Sequence, residues 1–164
     1  MADNLKKLIA DQYENNSIYV LLSSRGALSG FHWGIFIPTN TPYGFVWHAS
    51  NKEGGWHLVH KKSDTVPFSL SLLLARKIGT VNSKTWETCY NTLSLVPCSG
   101  QPSSYTGEEF SCRVWVKDAI LELQKNKVID LPEAISSIEK ELMERAAEFK
   151  LGVERGTETA QVDN

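Results

Sequence analysis

Phe31-His32-Trp33-Gly34-Ile35-Phe36-Ile37 is an almost unbroken apolar and aromatic run, closed by Pro38 and the turn-rich Thr39–Gly44. A run of this kind reads as a strand covered on both faces and central to a sheet. The segments around it agree. Upstream, Ile18–Ser23 is a β-rich run that ends at the turn-like Arg25-Gly26. Downstream, Gly44–Ser50 (GFVWHAS) and, after the Asn51–Gly55 turn, Trp56–Lys61 (WHLVHK) continue the pattern. Strands two to four therefore form an antiparallel meander with short connections. Ser71–Val81 suits a strand or a short helix by periodicity; we take Ala75–Val81 as a fifth strand. The expected sheet is antiparallel, of about 4–5 strands.

Helical spacing takes over after Val81. Asn82 or Ser83 offers a capping oxygen for a helix over roughly residues 84–95, which Pro97 ends. Cys98–Gly107 is a Ser/Pro/Gly loop, and its place just before Cys112 suggests a lid. Cys112–Lys125 then places Val114, Trp115, Ala119, Leu121 and Leu123 in a largely apolar helix. The last helix opens near Pro132 and aligns Ile135, Ile138, Leu142, Ala146 and Phe149 on one face, with Glu141 and Arg145 opposite. That stripe docks on the sheet, or on a second copy in a homodimer through the 132–150 helix. Leu5, Leu8 and Ile9 suggest a helical turn at the start. The reading is an α+β fold, residues 1–151 forming a single domain and residues 152–164 a disordered polar tail.

Composition narrows the function classes. The chain has 164 residues, 41% of them hydrophobic and 22% charged, with five Trp, five Tyr and six Phe. A globular chain of this size buries roughly 70% of its unfolded surface. Seventeen Lys and Arg against 19 Asp and Glu leave a net charge of −2 and no basic stripe, so nucleic acid is not an expected partner. No apolar run approaches the ~20 residues of a membrane span, and the opening MADNLKKLIADQ lacks the apolar core of an export signal. Cys89, Cys98 and Cys112 do not all pair within one chain and form no CxxC, which fits a reducing, cytoplasmic setting.

Of these cysteines Cys112 is the candidate nucleophile. The thiolate is the reactive form, and a helix start, with unpaired amides and the positive end of the dipole, favours negative charge. Cys112 follows a Gly/Ser-rich loop and opens an apolar helix, whereas Cys89 lies within a helix and Cys98 follows Pro97 in a loop. A nucleophilic thiol needs a base, and the base a group that orients it. His32 and His48 sit in consecutive strands whose antiparallel pairing brings the imidazoles together on one face, and the helix of Cys112, packed over that face, is expected to close a Cys-His-His site. Trp33, Trp47 and Trp56 are candidates to line a substrate groove, or else to fill the core. His57 and His60, three apart in a strand, face opposite sides, so no metal site is expected.

His-Trp-Gly-Ile-Phe in one strand, a second His in the next and a Cys opening a late apolar helix resemble the permuted papain-like cysteine enzymes. The likeness is to the lecithin:retinol acyltransferase-like family, whose motifs read approximately HWxIY, a second His, then NCEHFV. It spans about Phe31–Leu123 and implies a permuted papain-like fold in which His32 is the general base, Cys112 the nucleophile and His48 the orienting group. The resemblance implies a cysteine hydrolase or acyltransferase that passes an acyl group through a thioester and needs no cofactor. The family's apolar anchoring segment has no counterpart here, which points to a soluble small-molecule or acyl substrate. Permuted desumoylase-type isopeptidases share the order of motifs. Ser111 and Arg113-Val114-Trp115 replace the family's residues around the cysteine. On that departure rests the alternative of a non-catalytic member that binds a small molecule or a protein.

Overall fold

The structure of the protein, a computed structural model, describes residues 1–164. Its elements are α1 (Asp3–Ala10), β1 (Ser17–Ser24), β2 (Phe31–Asn40), β3 (Tyr43–Ser50), β4 (His57–Ser63), β5 (Leu72–Thr80), α2 (Trp86–Leu95), α3 (Cys112–Lys125), α4 (Ile135–Glu154) and β6 (Gln161–Asp163). The architecture is α+β, with one six-stranded sheet in the order β4-β3-β2-β1-β5-β6. Every pairing is antiparallel except β5 with β6, so the sheet is mixed and has one or two strands more than expected.

The pleat divides the strands' side chains between two cores. Ile18, Val20, Leu22, Trp33, Ile35, Ile37, Trp47 and Ala49 face the layer of α2, α3 and α4, where Trp115, Ala119, Leu142 and Ala146 meet them. On the other face Tyr19, Leu21, Phe36 and Val46 pack against Ile9 and Tyr13 from the α1 region. β2 is thus covered on both faces over most of its length. The second cover stops short of the beginning of β2, and there the sheet face is open.

The helices form close to where their capping signals lie. Ser111 caps α3, its hydroxyl accepting the Val114 amide at 3.2 Å. α2 begins two residues late, because Asn82 Oδ1 accepts the amides of Lys84 and Thr85 and holds that stretch as a turn. α4 likewise begins at Ile135, after the turn that contains Pro132. Of its apolar stripe Ile138, Leu142 and Ala146 are buried within the chain and Ile135 and Phe149 are partly buried against the same core, so the stripe docks inside the domain.

Residues 152–164 are the clearest correction. Instead of a disordered tail, α4 continues to Glu154 and β6 adds a parallel edge strand to β5. The physical reason is ionic. Asp163 receives Arg76 at 3.1 Å and Arg145 at 3.0 Å. Although burial pushes its carboxyl up, hydrogen bonds from Arg145, Gln161 and Arg76 hold it at about 2. Asn164 Oδ1 also accepts the Tyr19 hydroxyl at 2.5 Å.

Candidate functional site

In a meander the β1–β2 and β3–β4 turns fall at the same end of the sheet, which places the first residues of β2 beside the last of β3. His32 and His48 lie there on one face, and His32 Nε2 stands 3.1 Å from His48 Nδ1, a hydrogen bond. The rings meet edge to face, with centroids 4.8 Å apart. Gly34 makes this possible. A Cβ on it would stand 3.2 Å from the Trp47 carbonyl oxygen and 3.3 Å from His48 Cβ, so a larger residue would crowd the imidazole out of its place.

The helix layer supplies the thiol, but α3 does not cover the imidazoles as expected: Trp33 and Trp47 point into that layer, so the alternating His32 and His48 point to the opposite face. α3 starts at Cys112, whose Sγ contacts the Phe31 carbonyl at 3.8 Å, one residue before His32. That carbonyl is its hydrogen-bond partner; neither imidazole is. Cys112, His32 and His48 nevertheless line one cleft of about 520 Å³ at the sheet end, together with Ser111 and Trp56. A second cleft of about 350 Å³, on the sheet face away from α3, is also walled by His32 and His48 and has Ser23, Ser69 and Ser71 among its lining residues.

Burial sets the protonation of the pair. It lowers His48 to about 4, with the charge of His32, Lys61 and Lys52 acting the same way and a hydrogen bond at the Ala49 backbone opposing. His32 is lowered as well, by burial first and then by Lys52 and Arg25. At neutral pH both rings are uncharged, so one nitrogen of the contact donates and the other accepts. The unfolded chain takes up the His48 proton first, near 6.5. Stability is therefore expected to fall as pH drops from about 6.5 toward 4. Thermal unfolding across this window should show a shallower slope for His48→Gln than for the parent chain.

The other two thiols are set apart. Cys89 is fully buried and pushed up to about 12, and burial raises Cys98 as well. All three cysteines are free. No group of three His, Cys, Asp or Glu side chains stands together as a metal site needs. His57 is exposed, while His60 stacks on Trp47 with centroids 4.8 Å apart.

Two of the three tryptophans expected at a substrate groove are elsewhere. Trp33 and Trp47 point to the helix layer and are completely covered, because they share a face with Ile35 and Ala49. Trp56 does line the Cys112 cleft, its ring edge-to-face with Phe110 at 4.9 Å and close against Gly100. The Cys98–Gly107 loop contributes no residue to that cleft. It is tied along α3 instead, by Ser103 donating to Asp118 at 2.6 Å and Tyr105 to Glu122 at 2.5 Å, so the lid expected of it is not what it forms.

Arg25 and Lys52, which belong to no motif, also line the cleft. The signal for them was in the topology: each occupies a turn at the sheet end that carries the histidines. Over residues 18–130 the chain matches the model of a family described as "Family of unknown function (DUF6540)", and it belongs to that family. The matched stretch runs from β1 to just beyond α3 and contains Cys112, His32 and His48. No curated protein and no solved structure matches the chain.

Proposed function

We propose that the protein is a cysteine hydrolase or acyltransferase of the permuted papain-like kind, working through a thioester at Cys112. The observation that carries this reading is the His32 Nε2 to His48 Nδ1 contact beside the Cys112 cleft. Because His48 occupies Nε2, Nδ1 is the ring nitrogen of His32 left to serve a thiol. His48 orients His32 and selects its tautomer.

The pleat directs both imidazoles to the sheet face away from α3, so in the proposed steps the thiol and His32 meet at the sheet end, across the cleft that both line. Cys112 Sγ turns from the Phe31 carbonyl toward His32, gives up its proton to Nδ1 and attacks the substrate carbonyl carbon. The tetrahedral oxyanion is met by the backbone amides of Cys112 and Arg113, which the first turn of a helix leaves without intrahelical partners. The carbon–leaving-group bond breaks and the leaving group takes the proton from His32, leaving a thioester. His32 then takes a proton from water or an alcohol or amine acceptor, which attacks the thioester. The C–S bond breaks, the acid or the transferred acyl product departs, and the proton returns to the thiol.

No helix of the chain is long and apolar enough to cross a membrane, which supports a substrate that reaches the cleft from solution. The three free thiols suit a reducing compartment, where we place the protein.

Incubation with an activated phenyl ester, read by peptide mass spectrometry, tests the proposal. Acylation at Cys112 that disappears in Cys112→Ala and slows in His32→Ala is the expected result. An ester that leaves Cys112 unmodified while the parent fold is intact contradicts it. The rival reading, a non-catalytic binding member of the fold, is favoured by one observation, the Sγ contact with a carbonyl and not with an imidazole. It predicts that last outcome.

A further inference from the structure

We infer that the Cys112 cleft takes a substrate bearing a negatively charged group next to the acyl carbon, held by Arg25 and Lys52. This rests on the proposed nucleophile and adds the class of its substrate.

The cleft that holds Cys112 and both histidines has two cationic side chains on its wall, Arg25 and Lys52, and no carboxylate. Lys52 also borders the hydroxyl-lined cleft behind the imidazoles, which likewise has no acid. A chain of net charge −2 has more acids than bases to distribute, and eight of its 17 Lys and Arg side chains stand in ion pairs. Neither Arg25 nor Lys52 takes part in one. Arg25 donates through Nη1 to the Ser29 carbonyl at 2.9 Å, which tethers the guanidinium to its own turn and leaves its other N–H groups unengaged. Glu53, next to Lys52 in the β3–β4 turn, is exposed and does not line the cleft, and Glu154, which accepts the hydroxyl of the cleft residue Ser24 at 2.5 Å, is paired with Lys150 at 3.9 Å.

Both charges act at the site, since Lys52 and Arg25 each help to keep His32 unprotonated. An anionic substrate therefore meets a positive wall beside an uncharged base. Leu28 and Trp56 complete the lining with apolar surface, Leu28 standing 61% exposed in the β1–β2 turn. The chemistry selected is an acyl compound with a carboxylate or phosphate close to the bond that is cut and a small apolar part that lies on these two side chains.

Two alkylating reagents that differ only in charge test this without knowledge of the natural substrate. With either, Sγ displaces iodide, so that a C–S bond forms as the C–I bond breaks. The rates of Cys112 modification by iodoacetate and iodoacetamide are measured near pH 7 by peptide mass spectrometry, in the native and in the urea-unfolded chain. Using the ratio of the two rates cancels any change in the thiol itself. The expected native ratio exceeds the unfolded one by about threefold or more, the effect of one unit charge a few ångströms away in water. It falls to the unfolded value in the Arg25→Gln/Lys52→Gln double variant and at high salt.

A native ratio no higher than the unfolded one overturns the inference while leaving the nucleophile standing. A raised ratio that survives in the double variant overturns the assignment to these two residues. A Cys112 that reacts with neither reagent removes the nucleophile, and the inference with it.

Discussion

Trp47→Ala is expected to destabilise the fold by about 3–5 kcal/mol, the range for removing a large aromatic side chain from a packed core. Trp47 is fully buried on β3, stacked on His60 with an interplanar angle of 7° and set edge-on to Tyr90 at 5.7 Å. Its indole N–H donates to Ser94 Oγ at 3.2 Å, joining the sheet to α2. Alanine removes the stacked partner of His60, leaves Ser94 without its donor and opens a void that the sheet and α2 close only in part. Trp56→Ala, at the half-exposed wall of the cleft, loses the contact with Phe110 and is expected to cost about 1–2 kcal/mol. Urea titration of both variants separates a core tryptophan from a cleft tryptophan. Similar losses would contradict the division of roles.

Lys117→Ala is the second large effect. Lys117 is almost fully buried on α3, with Nζ 2.5 Å from Glu108 and 2.8 Å from Glu139. Arg113 joins the same two carboxylates. The network ties the segment just before Cys112 to α3 and α4, and Lys117 first among its partners holds Glu108 at about 2. Removing one member of a buried ion pair costs about 3–5 kcal/mol. Because Arg113 still reaches both acids, the expected loss here is about 2–3 kcal/mol. The carboxyl of Glu108 lies below its ordinary 4.5 in the folded chain, so its contribution is present above that pH and is lost as pH falls from 4.5 toward 2. The difference in unfolding free energy between Lys117→Ala and the parent chain should therefore shrink on acidification. A gap that stays constant to pH 2 would show that the ionic network is not its source.

The legible parts of the sequence were those where one local signal sufficed. α3 spans the same residues as the apolar periodicity after Ser111, because its cap and its apolar face adjoin. The meander was legible because three apolar strands are joined by short turns. The pairing of His32 with His48 follows from that meander; that the pair faces away from α3, and that Gly34 makes room for it, depends on the register, which no local signal fixes. What escaped depends on partners distant in the chain. β6 has three residues and no periodicity of its own, and it is held by Arg76 and Arg145. Residue type alone does not separate Trp33 and Trp47 from Trp56, whereas sharing a face with Ile35 and Ala49 puts them in the core. Arg25 and Lys52 are unremarkable turn residues until the topology gathers both turns at one end of the sheet.

The most direct test of the account is the rate of Cys112 alkylation by iodoacetamide between pH 5 and 9, in the parent chain and in His32→Ala, with Cys89 as the buried internal reference. The account predicts that Cys112 reacts near pH 7 while Cys89 does not, and that His32→Ala lowers the Cys112 rate at pH 7 by at least about tenfold. A Cys112 that is inert, or that reacts equally in both chains, would contradict it.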